Sequence, residues 1–269
     1  MTKTKTFITV AILLAFVSVF GAWTGSNNTE TRYADSLLYS TYANETVNYT
    51  RRVITAEGYT SGNCPFYESL SDMTNACGAV AGSEIVAFYD KYYPNMITDW
   101  TSYYPANGKY RFQDSTYVPA VMRQLYTLMR TNVDDVGVSR TDFLNGLSSY
   151  INSKGYGVSY QSVKSGNTID FAQCKNAIDN NKVIALFALP TTLYELSEGN
   201  NRDTYASFSI SSAHIMVVFG YIQFEYYNAG GLFRTDTYLY AAIGKVGYKY
   251  GLYKINSADT EAAYIVNIQ

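Results

Sequence analysis

The distribution of apolar residues divides the chain into a helical part and a later, strand-rich part. From Ala76 to Tyr92 apolar residues occupy nearly every side, which predicts a buried helix that Pro94 ends. Apolar residues at helical spacing predict three further helices, over Tyr117–Arg130, Arg140–Lys154 and Ile169–Asn180. Asp170 is the expected cap of the last helix.

After residue 180 the apolar runs shorten to the length of strands. Strands are predicted over Lys182–Leu189, Ala213–Tyr227, Thr235–Gly244, Gly251–Asn256 and Ala262–Ile268, the second of them running into a turn or hairpin. Because helices come first and an antiparallel-looking sheet follows, the expected fold class is α+β, with the helices segregated from the sheet.

The first 22 residues have the features of an export signal. Lys3 and Lys5 precede an apolar run, Phe7–Phe20, which is shorter than the roughly 20 residues of a membrane span. Cleavage is expected after Gly21, and an uncleaved N-terminal anchor is the alternative. The protein is therefore expected to be secreted or held at the cell surface, with membrane contact only through such an anchor.

Residues 23–57 are polar and show no sustained period, so they are interpreted as a tether, stalk or prosegment. One compact domain is predicted over residues 58–269. Three acceptor motifs for glycosylation cluster before residue 50, at Asn27, Asn44 and Asn48.

Composition narrows the function classes. Apolar residues make up 47% of the chain, which indicates a globular protein, and the net charge is only −2. No basic block is present, so nucleic acid is not expected as a partner. Tyrosine occurs 28 times, which indicates either compositional drift or a surface that binds carbohydrate or peptide.

The three cysteines leave at least one thiol free or paired with another chain. Cys64 and Cys174 can form one bridge, which leaves Cys77. No Cys-x-x-Cys pair occurs, which argues against a structural zinc site, and no metal is expected.

Cys77 lies at the start of the predicted buried helix. Asn75 is expected to cap that helix through its side-chain oxygen, which places Cys77 in the first turn. There the helix dipole stabilises a thiolate, and the free backbone N–H groups can hold an oxyanion. Gly78 allows a substrate backbone to approach closely.

His214 is the only histidine, and it begins a predicted strand 137 residues after Cys77 (214 − 77). Histidine is the commonest general base, although a lone histidine on an apolar strand is more often a hydrogen-bonded core residue. A nucleophile needs a base within reach, and the only base of this kind stands at the head of a strand.

The segments "NACGAVAGSEIVAFYDKYYP" and "SAHIMVVFGY" resemble the nucleophile helix and the histidine strand of the papain-like cysteine peptidase superfamily. The similarity is greatest to exported peptidases of the bacteriocin-leader-processing type, and it covers about Asn63–Ile268, with "TYLYAAIG" and "GLYKIN" as weaker matches. The family places its histidine about 130–150 residues after the cysteine. The resemblance implies a helical subdomain around a central nucleophile helix, with an antiparallel sheet or half-barrel.

Two features depart from that family. Its histidine is oriented by an Asn or Asp at the end of the next strand, where this chain has Ala242–Gly244. Asp236 and Asn228 are the candidates to replace it. The family's oxyanion-binding Gln, about six residues before the cysteine, corresponds to Ser71, so Asn75 is the expected oxyanion donor.

The sequence thus predicts an exported cysteine peptidase that cleaves peptide bonds of a peptide or protein substrate through Cys77 and His214, with no metal or organic cofactor. One alternative is a catalytically impaired protein of the same fold that binds ligands at a surface. Another is a transglutaminase-like thiol acyltransferase, which uses the same two residues and differs only in the acceptor.

Overall fold

A large antiparallel sheet dominates the computed structural model, which describes residues 30–35, 38–39, 45–61, 64–98, 117–166, 168–245, 248–255 and 258–269. Eleven strands form this sheet, and only four helices pack on it within the described residues. The expected α+β fold, a helical subdomain beside a smaller sheet or half-barrel, is therefore wrong, because the protein is β-rich.

The strands are β1 (Arg32–Tyr33), β2 (Leu38–Tyr39), β3 (Glu45–Asn48), β4 (Arg51–Tyr59), β5 (Val138–Ser139), β6 (Val158–Ser162), β7 (Lys164–Ser165), β8 (Thr168–Ile169), β9 (Ile184–Ala188), β10 (Thr191–Gly199), β11 (Arg202–Ile210), β12 (His214–Asn228), β13 (Gly231–Lys245), β14 (Tyr248–Lys254) and β15 (Thr260–Ile268). The main sheet has the order β2-β11-β10-β14-β13-β12-β9-β15-β6, with β3 added to β11 and β4 added to β12. Two small sheets pair β1 with β5 and β7 with β8.

All four helices predicted from apolar spacing are present, with ends that differ by a few residues. They are α1 (Cys77–Asp90), α2 (Val118–Leu128), α3 (Arg140–Ser153) and α4 (Phe171–Asp179). Every residue of α1 is buried, as its nearly continuous apolar sequence predicts. Asp170 caps α4 as expected, because its side chain accepts a hydrogen bond of 3.1 Å from the Gln173 N–H.

Strand β12 is the central element of the sheet. It pairs with β13 along one edge, and on the other edge its first residues pair with β9 and its later residues with β4. Its side chains alternate between two cores. Ile215, Val217 and Phe219 pack with α1, α2 and α3, whereas Met216 and Val218 pack in the second core with α4. The start of β12 therefore meets the start of the buried helix.

The error in fold class comes from residues 190–212 and from the length of β12 and β13. Strands β10 and β11 form a hairpin that extends the sheet, with Asn201 at a φ of +52° in its turn. Their solvent side is polar, so no continuous apolar run marks them. The signal in the sequence that indicated this hairpin was the alternation of apolar and polar residues on both sides of the turn residues "GNN" at 199–201. Strand β12 runs without a break over 15 residues where a turn or hairpin was expected, and β13, also of 15 residues, extends beyond the predicted Thr235–Gly244 at both ends.

The polar N-terminal segment contributes strands to this sheet. Strand β3 pairs with β11 and β4 pairs with β12, so the domain boundary expected after residue 57 falls inside β4. Within the same region Arg52 donates two hydrogen bonds, of 3.0 and 2.9 Å, to the buried carboxylate of Asp203 on β11. A role of residues 23–57 as prosegment or tether stays a prediction.

The predicted export signal, residues 1–22, and the acceptor residues Asn27 and Asn44 lie outside the described residues. Asn48 ends β3 and is exposed. Among the described residues, none of the helices combines the length and apolar character needed to cross a membrane.

All three cysteines are free and buried. Cys64 and Cys77 lie in the core that contains α1, whereas Cys174 lies in the core that contains α4. The sheet separates Cys64 from Cys174, so the bridge considered from the sequence does not form.

Candidate functional site

Cys77 is the first residue of α1, and only 2% of it is exposed. The residue at the cap position is Ala76, and no side chain caps the helix. The expected cap by Asn75 is therefore wrong. Asn75 has a φ of +54°, and its Nδ2 donates a hydrogen bond of 3.0 Å to Asn132 Oδ1 in a neighbouring loop. No side chain before Cys77 therefore caps the first backbone N–H groups of α1.

The sulfur of Cys77 lies against the start of β12. The backbone N–H groups of Ile215 and Gly78 both face the thiol and favour its thiolate. Burial has the larger, opposite effect and raises the pKa of Cys77 to about 12. The thiol is therefore protonated at neutral pH in this arrangement.

His214 is the first residue of β12 and is 1% exposed. Its Nε2 lies 2.7 Å from the Ile243 carbonyl oxygen, and its Nδ1 lies 3.4 Å from the Ala34 carbonyl oxygen. A carbonyl oxygen only accepts, so the shorter contact places the ring proton on Nε2. Burial lowers the pKa of His214, which keeps the ring neutral and leaves Nδ1 as the basic nitrogen.

The carbonyl that holds His214 comes from an irregular point in β13. The pairing of β13 with β14 shifts register between Ala242 and Lys245, and Gly244 there has a φ of +68°. A Cβ on Gly244 would lie 2.9 Å from Val80 Cγ1 of α1, so a larger residue does not fit. Irregularities of this kind redirect groups near active sites. At Ala242–Gly244, where the sequence has no orienting side chain, the main chain provides the acceptor.

The two side chains expected to replace the orienting residue are elsewhere. Asn228 ends β12, about 45 Å from its first residue along the strand, and its Oδ1 accepts a hydrogen bond of 2.8 Å from Gly230 N–H. Asp236 is paired with Phe224, about 33 Å along the strand, and accepts a hydrogen bond of 2.7 Å from Arg234 Nε. The structure brings neither of them to His214.

Two charged residues act on both Cys77 and His214. After burial, Lys245 lowers the pKa of each group, and Asp35 raises each of them. Lys245 follows the irregularity in β13, and burial lowers the pKa of Lys245 itself. Cys77 and His214 share these two charged neighbours, and the Cys77 thiol lies beside the backbone N–H of Ile215, the residue after His214.

A short segment of the chain's own N-terminus covers this site. Ala34 donates a hydrogen bond of 3.1 Å from its N–H to the Ala213 carbonyl oxygen, beside His214. Tyr33 is fully buried and pairs with Val138 in the small sheet of β1 and β5. The covering segment, residues 30–35, therefore lies between the site and solvent.

Contacts on both sides of Tyr33 hold the covering segment in place. Arg32 Nη2 donates to the Gly137 carbonyl oxygen at 2.8 Å, and Glu30 Oε1 accepts from the Thr141 N–H at 2.9 Å. Gly137 has a φ of +80°, and a Cβ there would lie 2.1 Å from the Tyr33 carbonyl oxygen. Only glycine at position 137 allows the backbone of the covering segment to lie this close.

Of the expected site residues, Cys77 is the first residue of α1 and His214 the first residue of β12, and Asn75 lies one residue before the helix cap. That Cys77 and His214 act as a pair stays a prediction. Sequence reasoning missed the Ile243 carbonyl, Asp35, Lys245 and the covering segment. Gly244 was the signal in the sequence that pointed to the Ile243 carbonyl, because a glycine inside a strand often marks an irregularity in the strand. No pattern in the sequence indicated the covering segment's contacts.

Comparisons with protein-family models, with curated proteins and with solved structures found no match for this chain. The resemblance to papain-like peptidases therefore stays a prediction from the sequence segments around Cys77 and His214 and the two weaker ones. Within the described ranges, no three His, Cys, Asp or Glu side chains are grouped so that they could hold a metal ion.

Proposed function

We propose that this protein is a thiol-dependent peptidase in which Cys77 is the nucleophile and His214 the general base. The observation that carries the proposal is the fixed state of His214. Its Nε2 proton is engaged by the Ile243 carbonyl oxygen at 2.7 Å, so Nδ1, which lies 3.4 Å from the Ala34 carbonyl oxygen, is the nitrogen that can accept a proton.

The chemistry follows from the groups at the site. Nδ1 of His214 takes the proton of the Cys77 thiol as the sulfur attacks the carbonyl carbon of a peptide bond. The backbone N–H groups at the start of α1, where no side chain of the cap residue is bound, are the donors for the negative charge that develops on the carbonyl oxygen in this proposal. Nδ1 then returns the proton to the amine that leaves. Water hydrolyses the resulting thioester and regenerates the thiol.

The covered arrangement is a resting form in this proposal. Burial raises the pKa of Cys77 and lowers that of His214, so both groups are neutral at pH 7. An active thiol peptidase benefits from a thiolate, which needs water or a charged partner. Displacement of residues 30–35 would restore solvent to both groups.

A second candidate function is ligand binding without catalysis, and one cleft favours it. The cleft has a volume of about 490 Å³ and lies on the part of the sheet formed by β4, β10, β13 and β14. Glu57 and Glu195 contribute carboxylates to its wall, and Tyr240 and Tyr250 contribute aromatic rings whose centroids are 5.5 Å apart. Such walls suit cationic peptides or sugars.

Hydrolysis of a peptide mixture separates the two candidates. The full chain and a Gly137→Ala form, in which the clash with Tyr33 is expected to displace residues 30–35, are incubated with peptides from a digested unfolded protein. New amino groups are then counted. We expect Cys77→Ala and His214→Gln to lower the rate at least ten-fold, because each removes one partner of the proton transfer. Gln at position 214 keeps a donor for the Ile243 carbonyl.

Cys174→Ala is the matched control, since it removes another buried thiol from the opposite core. Its rate should equal that of the parent. Equal hydrolysis by the parent and Cys77→Ala, or no hydrolysis by the parent and by Gly137→Ala, would contradict the peptidase proposal and leave ligand binding as the candidate.

A further inference from the structure

We propose that the cleft of about 490 Å³ on the sheet binds a lysine or arginine side chain of a peptide ligand, with the cation held between tyrosine rings and glutamate carboxylates. Because this site uses neither Cys77 nor His214, it does not depend on the proposed peptidase function. Of the two ligand classes named for the cleft, cationic peptides and sugars, only the first matches the charge of its walls.

The cleft lies on the concave side of a curled sheet. Its flanking strands β4 and β10 are separated in the sheet by β12, β13 and β14, a distance of about 19 Å in a flat sheet. Arg52 on β4 nevertheless donates a hydrogen bond of 2.8 Å to Glu198 on β10, so the sheet curls until these strands approach each other. This contact closes one end of the cleft. Tyr59 and Tyr250, towards the other end, are 45% and 50% exposed, so that end is open.

The floor of the cleft is apolar and matches the stem of a long basic side chain. Ile222 and Leu252 contribute to it from β12 and β14, and both are buried. Ile54 lines the same cleft and is 43% exposed, although it is a large apolar residue. Lysine and arginine cover surfaces of this kind with their methylene groups and keep the charged head at a polar edge. The floor therefore suits such a stem.

Three tyrosine rings form a row at the open end. The ring centroids of Tyr59 and Tyr240 are 4.8 Å apart, and those of Tyr240 and Tyr250 are 5.5 Å apart. A cation within about 6 Å of a ring centroid is attracted by the negative face of the ring. Because the centroids are this close together, one cation beside the row can lie within that distance of two rings.

The charged groups that line the cleft are acidic. Among the described residues of its wall, the charged ones are Glu57, Glu195 and Glu198, and all three are exposed. Arg52 pairs with Glu198 at 2.8 Å, but the same guanidinium also donates to both carboxylate oxygens of Asp203. Two carboxylates thus share this one guanidinium, and the cleft keeps an excess of negative charge.

Glu57 brings this charge to the tyrosine row. Its Oε1 accepts a hydrogen bond of 3.1 Å from the Tyr59 hydroxyl, which holds the carboxylate beside the rings. Burial raises the pKa of Tyr240, a hydrogen bond with Tyr59 opposes this, and the charge of Glu57 raises it further. A cation at the row would offset that charge, whereas a neutral sugar would cover the carboxylate without offsetting it. The cleft therefore favours a basic side chain over a sugar.

The test is the binding of a fluorescently labelled lysine hexamer to the full chain, measured by fluorescence anisotropy at low ionic strength. We expect Glu57→Gln and Tyr250→Leu each to weaken binding by about three- to ten-fold. The first removes the charge and keeps an acceptor for Tyr59, and the second removes the ring and keeps an apolar side chain. Glu225→Gln is the matched control, because Glu225 lies on the opposite face of β12 from Ile222, and its affinity should equal that of the parent.

Unlabelled competitors and Cys77→Ala complete the experiment. A glutamate hexamer and a glucose hexamer should not displace the probe, and Cys77→Ala should bind it as the parent does. Displacement by the glucose hexamer at the concentration at which unlabelled lysine hexamer displaces the probe would overturn the inference in favour of a sugar site. Equal affinities of the parent, Glu57→Gln and Tyr250→Leu would also overturn it.

The outcomes separate this inference from the peptidase proposal. If peptides are hydrolysed in a Cys77-dependent manner but the lysine hexamer does not bind, the inference is wrong and the peptidase proposal stands. If the hexamer binds with the expected dependence on Glu57 and Tyr250 while no peptide is hydrolysed, the inference stands and the peptidase proposal fails.

Discussion

Replacing Gly137 by alanine is expected to raise the alkylation rate of Cys77 at least about 100-fold. A Cβ at position 137 would lie 2.1 Å from the Tyr33 carbonyl oxygen, and this oxygen belongs to the backbone and cannot rotate away. The strand pair of β1 and β5 must therefore separate. Cys77 then regains solvent, and its pKa falls from about 12 towards the usual value of a thiol near 8.5.

The measurement is the rate of iodoacetamide labelling at pH 7.5, followed for each cysteine by peptide mass spectrometry. Gly155→Ala is the matched control, because Gly155 has a φ of +87° and no atom lies within 4 Å of a Cβ placed there. It shares the backbone strain of Gly137→Ala without the clash, so Cys77 should react as in the parent. Cys64 and Cys174 report on global unfolding, and equal acceleration at all three thiols would contradict a local cover.

Asp203→Ala is expected to lower the free energy of unfolding by about 3–5 kcal/mol. Asp203 is fully buried on β11, where its carboxylate accepts two hydrogen bonds from Arg52 and one of 2.9 Å from the Tyr226 hydroxyl. Removing the carboxylate leaves the mostly buried guanidinium of Arg52 with only the half-exposed Glu198 carboxylate, 2.8 Å away, and takes an acceptor from the buried Tyr226 hydroxyl. The substitution removes the ion pair that links β4 to β11, two strands that are far apart in the sequence.

Urea denaturation of both forms measures this loss. Asp72→Ala is the control, since Asp72 accepts a hydrogen bond of 2.7 Å from Arg123 and both side chains are more than half exposed. Exposed pairs of this kind contribute about 0–1 kcal/mol. If Asp203→Ala and Asp72→Ala shift the midpoint equally, burial of the Arg52–Asp203 pair does not stabilise the fold as expected.

The elements that the sequence predicted well are those with one dominant signal. Helix α1 is apolar on all sides, and α4 has both apolar spacing and the Asp170 cap, so local rules suffice for them. Strands β10 and β11 were not predicted from the sequence because they are polar on one face. Their position in the sheet is fixed by the pairing of β10 with β11 and with β14. Such pairing is tertiary and leaves only a weak alternation in the sequence.

The candidate site was predictable to the extent that it depends on side-chain type. Cys77 and His214 could be found because a thiol and a single imidazole are rare and chemically distinctive. The cap by Asn75 failed because its φ of +54° directs the side chain into a neighbouring loop. The cover over the site depends on where residues 30–35 dock, which is decided by contacts with residues more than 100 positions away.

The expected papain-like fold is not needed for this site. Cys77 and His214 are the first residues of α1 and β12, two elements that pack together, and their junction lies in one half of a long sheet. The other half, built by β3, β4, β10, β11 and the far ends of β12 and β13, has a core of its own rich in tyrosine. The site and the cleft with Glu57 and Tyr250 are therefore separate features of one sheet.

The main-chain acceptor at Ile243 has a consequence for inheritance. A carboxamide or carboxylate that orients a histidine is lost by one base change, but a backbone carbonyl is present whatever residue occupies the position. Selection can therefore act on the identity of residue 243 only through its packing in the core. The residue whose identity matters for the orientation of His214 is then Gly244, because its positive φ fixes the direction of the chain at Ile243. In proteins that descend from this gene, a site that still works would be recognised by a glycine at the position of Gly244, and no third polar residue would be needed.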